Sequence, residues 1–433
     1  MNDRFGVSDS SGSASAVMTR ELLAARYRAV RELTLRLADP LSAEDQCVQP
    51  MPDASPTTWH LGHTTWFFEA LVLPALAAGY KASDERYLFL FNSYYEGLGP
   101  RQPRPQRGMI TRPGLKQILD YRKHVDLAMD SFFKDCDDPT WRRAAALIEL
   151  GLQHEQQHQE LILTDIKYTL SLNPYEAIYA PLSQPAQGAA AALCWLPGRD
   201  GEVMIGHAGD GFGFDNEYPR HRVLLHPHQL ANRLVTCGEY LAFMNDGAYA
   251  RPELWLSDGW AMVCAQNWRA PLYWRMEDSG EWRIFTLHGY QALAPDEPVC
   301  HLSFYEAAAY AAWAGARLPT EFEWEAALKN LPLTGRFLDP ANLHPRIASP
   351  GEGLLQAYGD AWNWTRSSYD PYPGFKPLPG TVGEYNGKFM VGQLVLRGGS
   401  CVTPPGHLRP SYRNFFPPAA RWQFSGIRLA RDF

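Results

Sequence analysis

Two pairs of histidines stand at spacings that could hold a metal ion. Residues 152–166 read LQHEQQHQELILTDI, so His154 and His158 share one face if this segment is helical. Upstream, the segment WHLGHTTWFFE places His60 and His63 on adjacent turns, beside tryptophans. Three neutral imidazoles without a cysteinate leave coordination positions open on an iron or zinc ion. The pattern therefore predicts a metal centre that can also bind substrates.

The same residues admit other interpretations. His-Glu-Gln-Gln-His fits the H-E-x-x-H motif of zinc proteases, in which Glu155 would be the general base. Those enzymes need a third ligand downstream and a cleft with a strand edge, whereas the other histidines here lie upstream in a helical pattern. Two histidines four residues apart can also occur by chance on a helix. From spacing alone, His60 and His63 are both candidates for the third ligand.

The elements that would position these histidines are helices. Apolar residues recur at three- and four-residue spacing in ELLAARYRAVRELTLRLA and TTWHLGHTTWFFEALVLPAL, and two more amphipathic stretches cover 116–133 and 141–172. Four helices with one long connection, about 81–114, predict a helical bundle. That connection is too long and too aromatic for a plain linker, which favours a functional loop.

After Cys194 the sequence pattern changes to short strand-like runs that are rich in Gly, Pro and Trp. In this part, helical patterns occur only at 303–316 and in EFEWEAALKN. Asn173-Pro174 ends the last helix of the bundle, and PLSQPAQGAAAA is a small-residue linker. We therefore predict an α+β multidomain fold. Its parts are a disordered tail (1–18), a helical bundle (19–175), a linker (176–195) and an α+β domain with much irregular structure (196–433).

Bulk properties limit the class of protein. The 433 residues favour two domains, and the net charge of −7 gives no reason to expect nucleic acid or an anionic membrane as a partner. Seven scattered cysteines, an odd number, fit neither a disulfide scaffold nor a zinc ribbon and indicate a reducing compartment. The first residues lack an apolar core, and no apolar run approaches the ~20 residues that span a bilayer. We therefore expect a cytoplasmic protein.

Several blocks of the sequence resemble one known family. HLGHTTWFFE, FNSYYEGLGPR and HEQQHQEL resemble the N-terminal domain of the ergothioneine-biosynthesis sulfoxide synthases, a DinB-like four-helix bundle. RLPTEFEWEAA, EYNGKFM, LRGGSC, YRNFFPP and RWQFSGIRLARD resemble their C-terminal domain, which is related to the formylglycine-generating enzyme and has a C-type-lectin-like fold. The blocks run in the same order from about residue 20 to the end. The chain is identified as a member of this family.

The resemblance implies a non-haem iron(II) enzyme with O2 as co-substrate. It would form a carbon–sulfur bond between imidazole C2 of hercynine, a histidine betaine, and a cysteine-type thiol, giving a sulfoxide. The resemblance also selects His63 as the ligand that joins His154 and His158, and leaves His60 a supporting or structural role. Relatives that make selenoneine use a selenosugar, so a carbon–selenium bond is an alternative. A DinB-like metal-dependent thiol transferase is a second alternative, and a binding role for the C-terminal domain a third.

The resemblance also points to residues that would bind hercynine. It implies that Gln157 and Asn414 hydrogen-bond its carboxylate and imidazole. Phe415 and Phe416 follow in the same block, and aromatic faces attract a trimethylammonium cation. Core packing is the other interpretation of these two phenylalanines.

Residues of the long loop, together with Asp53, are candidates for binding the sulfur or selenium donor and for supplying a proton. Arg101 and Arg104 could bind a donor carboxylate, because arginine presents a fork suited to that group, and Asp53 could bind the donor ammonium. All three could equally be surface charges. Tyr94 and Tyr95 are candidate proton donors, since a phenol can donate a proton to a bound oxygen species.

Two positions depart from related proteins. Formylglycine-generating enzymes use a cysteine pair after R-G-G-S, but only Cys401 is present here, so that chemistry is not implied and Cys401 is expected to be packed. Relatives usually carry G-[ND]-V-W-E-W-T, whereas this chain has Asn363 in place of the glutamate. The loss of a carboxylate there would change the charge near a substrate wall.

Overall fold

The computed structural model describes residues 19–77, 79–182, 188–209, 211–384 and 386–433, and the chain divides into two compact units. We call the first the helical unit; its described residues lie within 19–172, 209–215 and 376–388. We call the second the mixed unit; its described residues lie within 173–208, 216–375 and 389–433. The tail predicted at 1–18 lies outside the described residues.

Four long helical segments form the helical unit, as predicted. Its helices are α1 (Arg20–Ala38), α2 (Thr57–Phe67), α3 (Leu73–Leu76), α4 (Tyr87–Leu90), α5 (Leu115–Asp135) and α6 (Asp138–Ser171). A π-helical turn, Phe68–Val72, joins α2 to α3. Helix α6 begins after Asp137, whose carboxylate accepts a hydrogen bond from Thr140 N at 2.8 Å, because the first N–H groups of a helix lack partners within it. Helices α1, α2, α5 and α6 pack together, which confirms the bundle.

Helix α2 lies at the centre of this bundle, and every one of its residues is buried. Two glycines allow close approach to it. A Cβ on Gly62 would overlap the ring of Phe91, which therefore packs directly on the α2 backbone. A Cβ on Gly151 of α6 would overlap the rings of Phe67 and Phe68. These contacts fix α2 against α6 and against the loop that follows α4.

The described residues of the mixed unit form four small sheets. Its strands are β1 (Trp195–Pro197), β2 (Gly201–Ile205), β3 (His221–Leu225), β4 (His228–Ala231), β5 (Trp274–Met276), β6 (Trp282–Thr286), β7 (Gly289–Ala292), β8 (Trp362–Ser368), β9 (Leu394–Arg397), β10 (Asn414–Phe416), β11 (Ser425–Gly426) and β12 (Ala430–Asp432). The strand orders are β1-β4-β12, β10-β9-β8-β11, β2-β3 and β5-β6-β7. Within the four-stranded sheet, β8 pairs antiparallel with β9 and parallel with β11. This mixture of small sheets and helices confirms the α+β multidomain prediction.

The mixed unit has more helix than the sequence suggested. Its helices are α7 (Cys237–Asn245), α8 (Ser257–Gln266), α9 (Phe304–Trp313) and α10 (Glu321–Leu328). We predicted only α9 and α10 and missed α7 and α8, which are about three turns long or less. Helix α7 nevertheless has a start signal in the sequence. Thr236 Oγ1 accepts from Glu239 N at 3.3 Å, and the Glu239 carboxylate accepts from Thr236 N at 2.9 Å.

The segment predicted as a linker, 176–195, is described except for residues 183–187. The described residues of this segment that precede β1 form no helix or strand, but they are hydrogen-bonded to the mixed unit. The amide nitrogens of Tyr179 and Ala180 both donate to Leu287 O, at 2.9 and 3.1 Å. In the described part of the chain, no helix combines the length and apolar character needed to cross a membrane.

Candidate metal centre

The structure brings together the three predicted ligands inside the helical unit. Helix α2 supplies His63, and α6 supplies His154 and His158, one turn apart. One ligand nitrogen from each imidazole lies within 4.8 Å of the other two. All three side chains are buried, with His63 fully enclosed.

The ring of His63 is held in one orientation and one tautomer. Its Nδ1 lies 2.6 Å from the carbonyl oxygen of Phe91, which can only accept, so Nδ1 carries the proton. That leaves the lone pair of Nε2 for a metal ion, the usual arrangement of a ligating histidine. The ring stacks between Trp59, at 4.5 Å, and Trp66, at 5.6 Å.

The charge state of the three imidazoles suits a divalent cation. Burial lowers the pKa of His63 and His158 well below the usual value and that of His154 to about 3, so all three rings are neutral at pH 7. Nε2 of His63 and Nε2 of His154 lie only 3.1 Å apart. Two lone pairs this close repel unless a cation or a proton lies between them. The donor set fits iron(II) or zinc with positions left open.

His60 lies behind the ligands. Its Nδ1 is 2.8 Å from Nδ1 of His158, and its Nε2 is 3.1 Å from Oδ2 of Asp165. His60 does not belong to the group of nitrogens that can hold the ion. Sequence reasoning missed Asp165, although a signal was present: it follows His158 by seven residues, two helical turns, and so lies on the same face of α6.

Glu155 does not have the surroundings of a protease general base. Its carboxylate is fully buried and pairs with Arg122 at 2.5 Å and with Arg31 at 3.0 Å. Burial alone would raise the pKa of Glu155, but the two guanidinium groups lower it to about 2. A carboxylate so strongly held in its ionised form is a poor proton acceptor at pH 7. The zinc protease interpretation is therefore wrong, and Glu155 serves to hold the bundle together.

The two candidate proton donors differ in environment. Tyr95 is fully buried, and its ring lies 5.5 Å from that of Trp66, which stacks on His63. Burial raises the pKa of Tyr95 well above its usual value, so its phenol keeps the proton at pH 7. Tyr94 is partly exposed, with its ring 5.0 Å from that of Tyr95. Their role as donors stays a prediction.

The loop that carries these tyrosines is held by the segment 376–388. The carboxylate of Glu384 accepts from the backbone N–H groups of Glu96 and Gly97, both at 3.0 Å. Lys388 Nζ donates to the carbonyl oxygen of Tyr94 at 2.7 Å. The segment thus belongs to the helical unit, although it lies far away in the sequence. The predicted domain boundaries instead assign all residues from 196 onward to the second domain.

The predicted donor-binding charges lie at the surface of the helical unit. Arg101 pairs with Glu96 at 3.0 Å, and Arg104 donates to the backbone carbonyl of Asp53, whose own side chain is exposed. The structure thus brings Arg104 and Asp53 together, but through the backbone of Asp53. Donor binding by these residues stays a prediction.

A third arginine of the same loop, Arg107, is buried, and sequence reasoning missed it. Its guanidinium lies 3.4 Å above the ring of Trp59 and donates to the hydroxyls of Ser55 and Ser93 at 3.0 and 2.9 Å. Because Trp59 stacks on His63, Arg107 connects the loop to the part of α2 that carries the candidate ligand His63. The regular three-residue spacing from Arg101 to Arg107 was the available signal.

The predicted hercynine residues are divided between the units. Gln157 lies on α6 beside His158 and is partly buried. Asn414, Phe415 and Phe416 form β10 of the mixed unit, and all three are partly buried. Phe415 stacks on Tyr369 at 4.0 Å, so one of its faces is already covered. Hercynine binding by these residues stays a prediction.

The two departures from related proteins prove to be core positions of the mixed unit. Cys401 is buried, as expected. Asn363 is also buried, and its Oδ1 accepts from Trp324 Nε1 at 3.0 Å and from Arg428 Nε at 3.2 Å. Its amide thus completes a hydrogen-bond network in the core, and an effect of Asn363 on a substrate wall stays a prediction.

Two family profiles match the chain in the order of its units. The DinB superfamily matches residues 26–162, and the sulfatase-modifying factor enzyme 1-like domain matches 180–348 and 346–433. This combination, with three converging histidines in the bundle, defines a multidomain protein with a candidate metal centre.

Curated relatives narrow this class. A hercynine oxygenase of Mycolicibacterium thermoresistibile is 32% identical over 96% of this chain and 95% of its own, and one of Mycobacterium tuberculosis is 33% identical over 95% and 99%. Ergothioneine biosynthesis protein 1 of Schizosaccharomyces pombe is 22% identical over 94% of this chain and 56% of its own. The chain belongs to the hercynine oxygenase family.

Proposed function

We propose that this protein is an iron(II)- and O2-dependent sulfoxide synthase that joins the sulfur of a cysteine-type thiol to imidazole C2 of hercynine. The observation that supports this most strongly is the buried set of three neutral histidines in a chain that matches hercynine oxygenases along nearly its whole length. The name of the fission-yeast relative supports ergothioneine biosynthesis as the context.

His63, His154 and His158 would hold the iron, and because all three are neutral, the bound ion keeps its full positive charge. When bound, iron(II) supplies open positions for the thiol and O2 and favours the thiolate over the thiol. The surrounding indoles and Phe67 exclude water from the ligand rings. Gln157 would orient hercynine from the turn that carries His158.

A proton must reach the reduced oxygen, and the chain offers a phenol for this. Tyr95 keeps its proton at pH 7. Its ring packs on Trp66, and Trp66 packs in turn on the candidate ligand His63. Tyr94 lies next to it and is partly exposed, so it can exchange protons with solvent. We assign the proton donor to this pair.

The test is reconstitution under anaerobic conditions with iron(II), followed by hercynine and either cysteine or γ-glutamylcysteine. O2 is then admitted and the products are weighed by mass spectrometry. We expect a sulfoxide conjugate with one of the two thiols, and no conjugate without O2 or with His154→Ala. A conjugate formed equally well without O2, with zinc in place of iron, would contradict the proposal and favour a thiol transferase.

The selenium alternative is not favoured, because the relatives named above are hercynine oxygenases and an ergothioneine biosynthesis protein. A selenosugar included as a third donor in the same experiment checks this. A carbon–selenium product without any sulfoxide conjugate would overturn the choice of sulfur.

A further inference from the structure

Behind the three ligands lies a chain of buried hydrogen bonds that the proposed reaction does not use. Oδ2 of Asp165 lies 3.1 Å from Nε2 of His60, and Nδ1 of His60 lies 2.8 Å from Nδ1 of His158. The three residues are 5%, 2% and 8% exposed, so water does not compete for these contacts. The chain runs from α6 to α2 and back to α6, and ends on a metal ligand.

The direction of these hydrogen bonds follows from the Asp165 carboxylate, at the end of the chain that is farthest from His158. Oδ2 of Asp165 also accepts from the backbone N–H of Ser55 at 2.9 Å, so this oxygen is an acceptor. Nε2 of His60 must therefore donate to it. A neutral imidazole carries one proton, so Nδ1 of His60 is then an acceptor. Nδ1 of His158 must donate, which leaves the lone pair of His158 on Nε2.

We propose that Asp165 and His60 are positioning residues that fix the tautomer of His158, so that its Nε2 is ready to bind a divalent metal ion. This inference rests on the proposed metal site, but not on the proposed reaction. Residues that support a ligating histidine in this way typically contribute about ten- to a hundredfold to metal affinity. Here a second histidine, His60, lies between the ligand and the carboxylate of Asp165.

This order of donors and acceptors requires a side chain at position 165 that can only accept a hydrogen bond from His60, as a carboxylate does. An asparagine at 165 could turn its NH2 group toward Nε2 of His60. His60 would then carry its proton on Nδ1 and point it at His158. The proton of His158 would move to Nε2, the atom that has to coordinate the metal.

The experiment measures metal binding alone, without substrates. Full-length, metal-free protein is titrated with Co²⁺, and the dissociation constant is read from the visible spectrum of the bound ion. We expect Asp165→Asn and His60→Ala to weaken binding by about ten- to a hundredfold. His60→Asn should lie closer to the wild type, because its side-chain oxygen can still accept from Nδ1 of His158.

A matched control is available on the same helix. Thr164 is also buried, but among the described residues its hydroxyl bonds only to the carbonyl of Glu160 within α6, at 2.8 Å. Thr164→Val should bind Co²⁺ like the wild type. Wild-type protein that fails to bind Co²⁺ would refute the metal site itself, and with it the proposed function, whereas the comparison of variants tests only the positioning role.

A direct readout separates positioning from a merely structural role. In the Zn²⁺-loaded protein, the ¹⁵N chemical shifts of the histidine ring nitrogens show which nitrogen of His158 carries the proton, with His158→Ala to assign the signals. We expect Nδ1–H in the wild type and a change of this pattern in Asp165→Asn. Wild-type Co²⁺ affinity in both Asp165→Asn and His60→Ala would overturn the proposal. A second pair of results would also overturn it: His60→Asn binds Co²⁺ as weakly as His60→Ala does, and the ¹⁵N signals of His158 do not change in Asp165→Asn.

Discussion

Glu155 lies between two buried arginines, and its replacement by glutamine tests what this carboxylate does. One carboxylate oxygen contacts Arg122 at 2.5 Å and Thr34 Oγ1 at 2.7 Å, and the other contacts Arg31 at 3.0 Å. Glutamine keeps the size and one acceptor oxygen. It removes the negative charge and turns an NH2 group toward one of the guanidinium groups.

The expected loss of stability follows from the burial of this ion pair, and the lowered pKa of Glu155 agrees with its direction. Removing one partner of a buried ion pair typically costs about 3–5 kcal/mol, because the other charge is left uncompensated. Asp126 still pairs with Arg31 at 2.7 Å, so the main loss falls on Arg122. Burial alone would raise the pKa of Glu155, but the two guanidinium groups lower it to about 2, so the folded protein favours the ionised form.

The sign of the pH dependence is fixed by this shift. The folded protein holds the pKa of Glu155 below its value in the unfolded chain. The stabilisation is therefore complete above about pH 4.5 and is lost as the pH falls toward 2. At pH 7 the full difference between wild type and variant should be visible, and it should shrink in acid.

The assay is urea unfolding of the metal-free protein at pH 7, followed by far-ultraviolet circular dichroism. We expect the free energy of unfolding of the helical unit to fall by about 3–5 kcal/mol in Glu155→Gln. The control is Asp120→Asn, since Asp120 pairs with Lys116 at the surface and its loss should change the value by less than about 0.5 kcal/mol. A Glu155→Gln variant with wild-type stability but no turnover would refute the structural role and revive a catalytic one.

Three further predictions concern the site. His63→Ala should lose iron and turnover while keeping the fold, measured by iron content and circular dichroism; retained iron would show that His63 is not a ligand. Tyr94→Phe or Tyr95→Phe should keep iron but slow coupling by about 10²–10⁴-fold and shift products toward an oxidised thiol such as a sulfinate. Wild-type yield in both, and in the double variant, would assign the proton to water. Gln157→Ala and Asn414→Ala should raise the KM for hercynine about ten- to a hundredfold, because a buried hydrogen bond to a charged group contributes roughly 1.5–3 kcal/mol; unchanged values in both would remove them from the pocket.

The bundle and its histidines were predictable because their signals are periodic. Apolar spacing marked the long helices, and the four-residue spacing of His154 and His158 placed both on one face of α6. The choice between His60 and His63 was not available from spacing, since both lie on α2 and both are buried. In the structure, the nitrogens of His63, His154 and His158 converge, whereas Nε2 of His60 faces Asp165, and this favours His63 as the ligand.

Contacts between distant parts of the sequence explain most of what was missed. Glu384 and Lys388 lie almost 300 residues after the loop that they hold, and no local pattern links them. Arg107 is buried because it packs on the ring of Trp59, whereas Arg101 stays at the surface. Helix α8 was missed because it is short and its first residues lack a side-chain cap.

The cluster of Glu155 with its two arginines has a consequence for how the enzyme is loaded. Because these ion pairs join α1, α5 and α6 without any metal, we expect the chain to fold first and acquire its ion afterwards. A site formed in advance from three imidazoles does not itself select iron(II), which binds such ligands more weakly than Co²⁺, Ni²⁺ or Cu²⁺. The metal found in the isolated protein will then reflect the supply of ions during expression and purification, and inactive preparations are expected to contain a tighter-binding competitor.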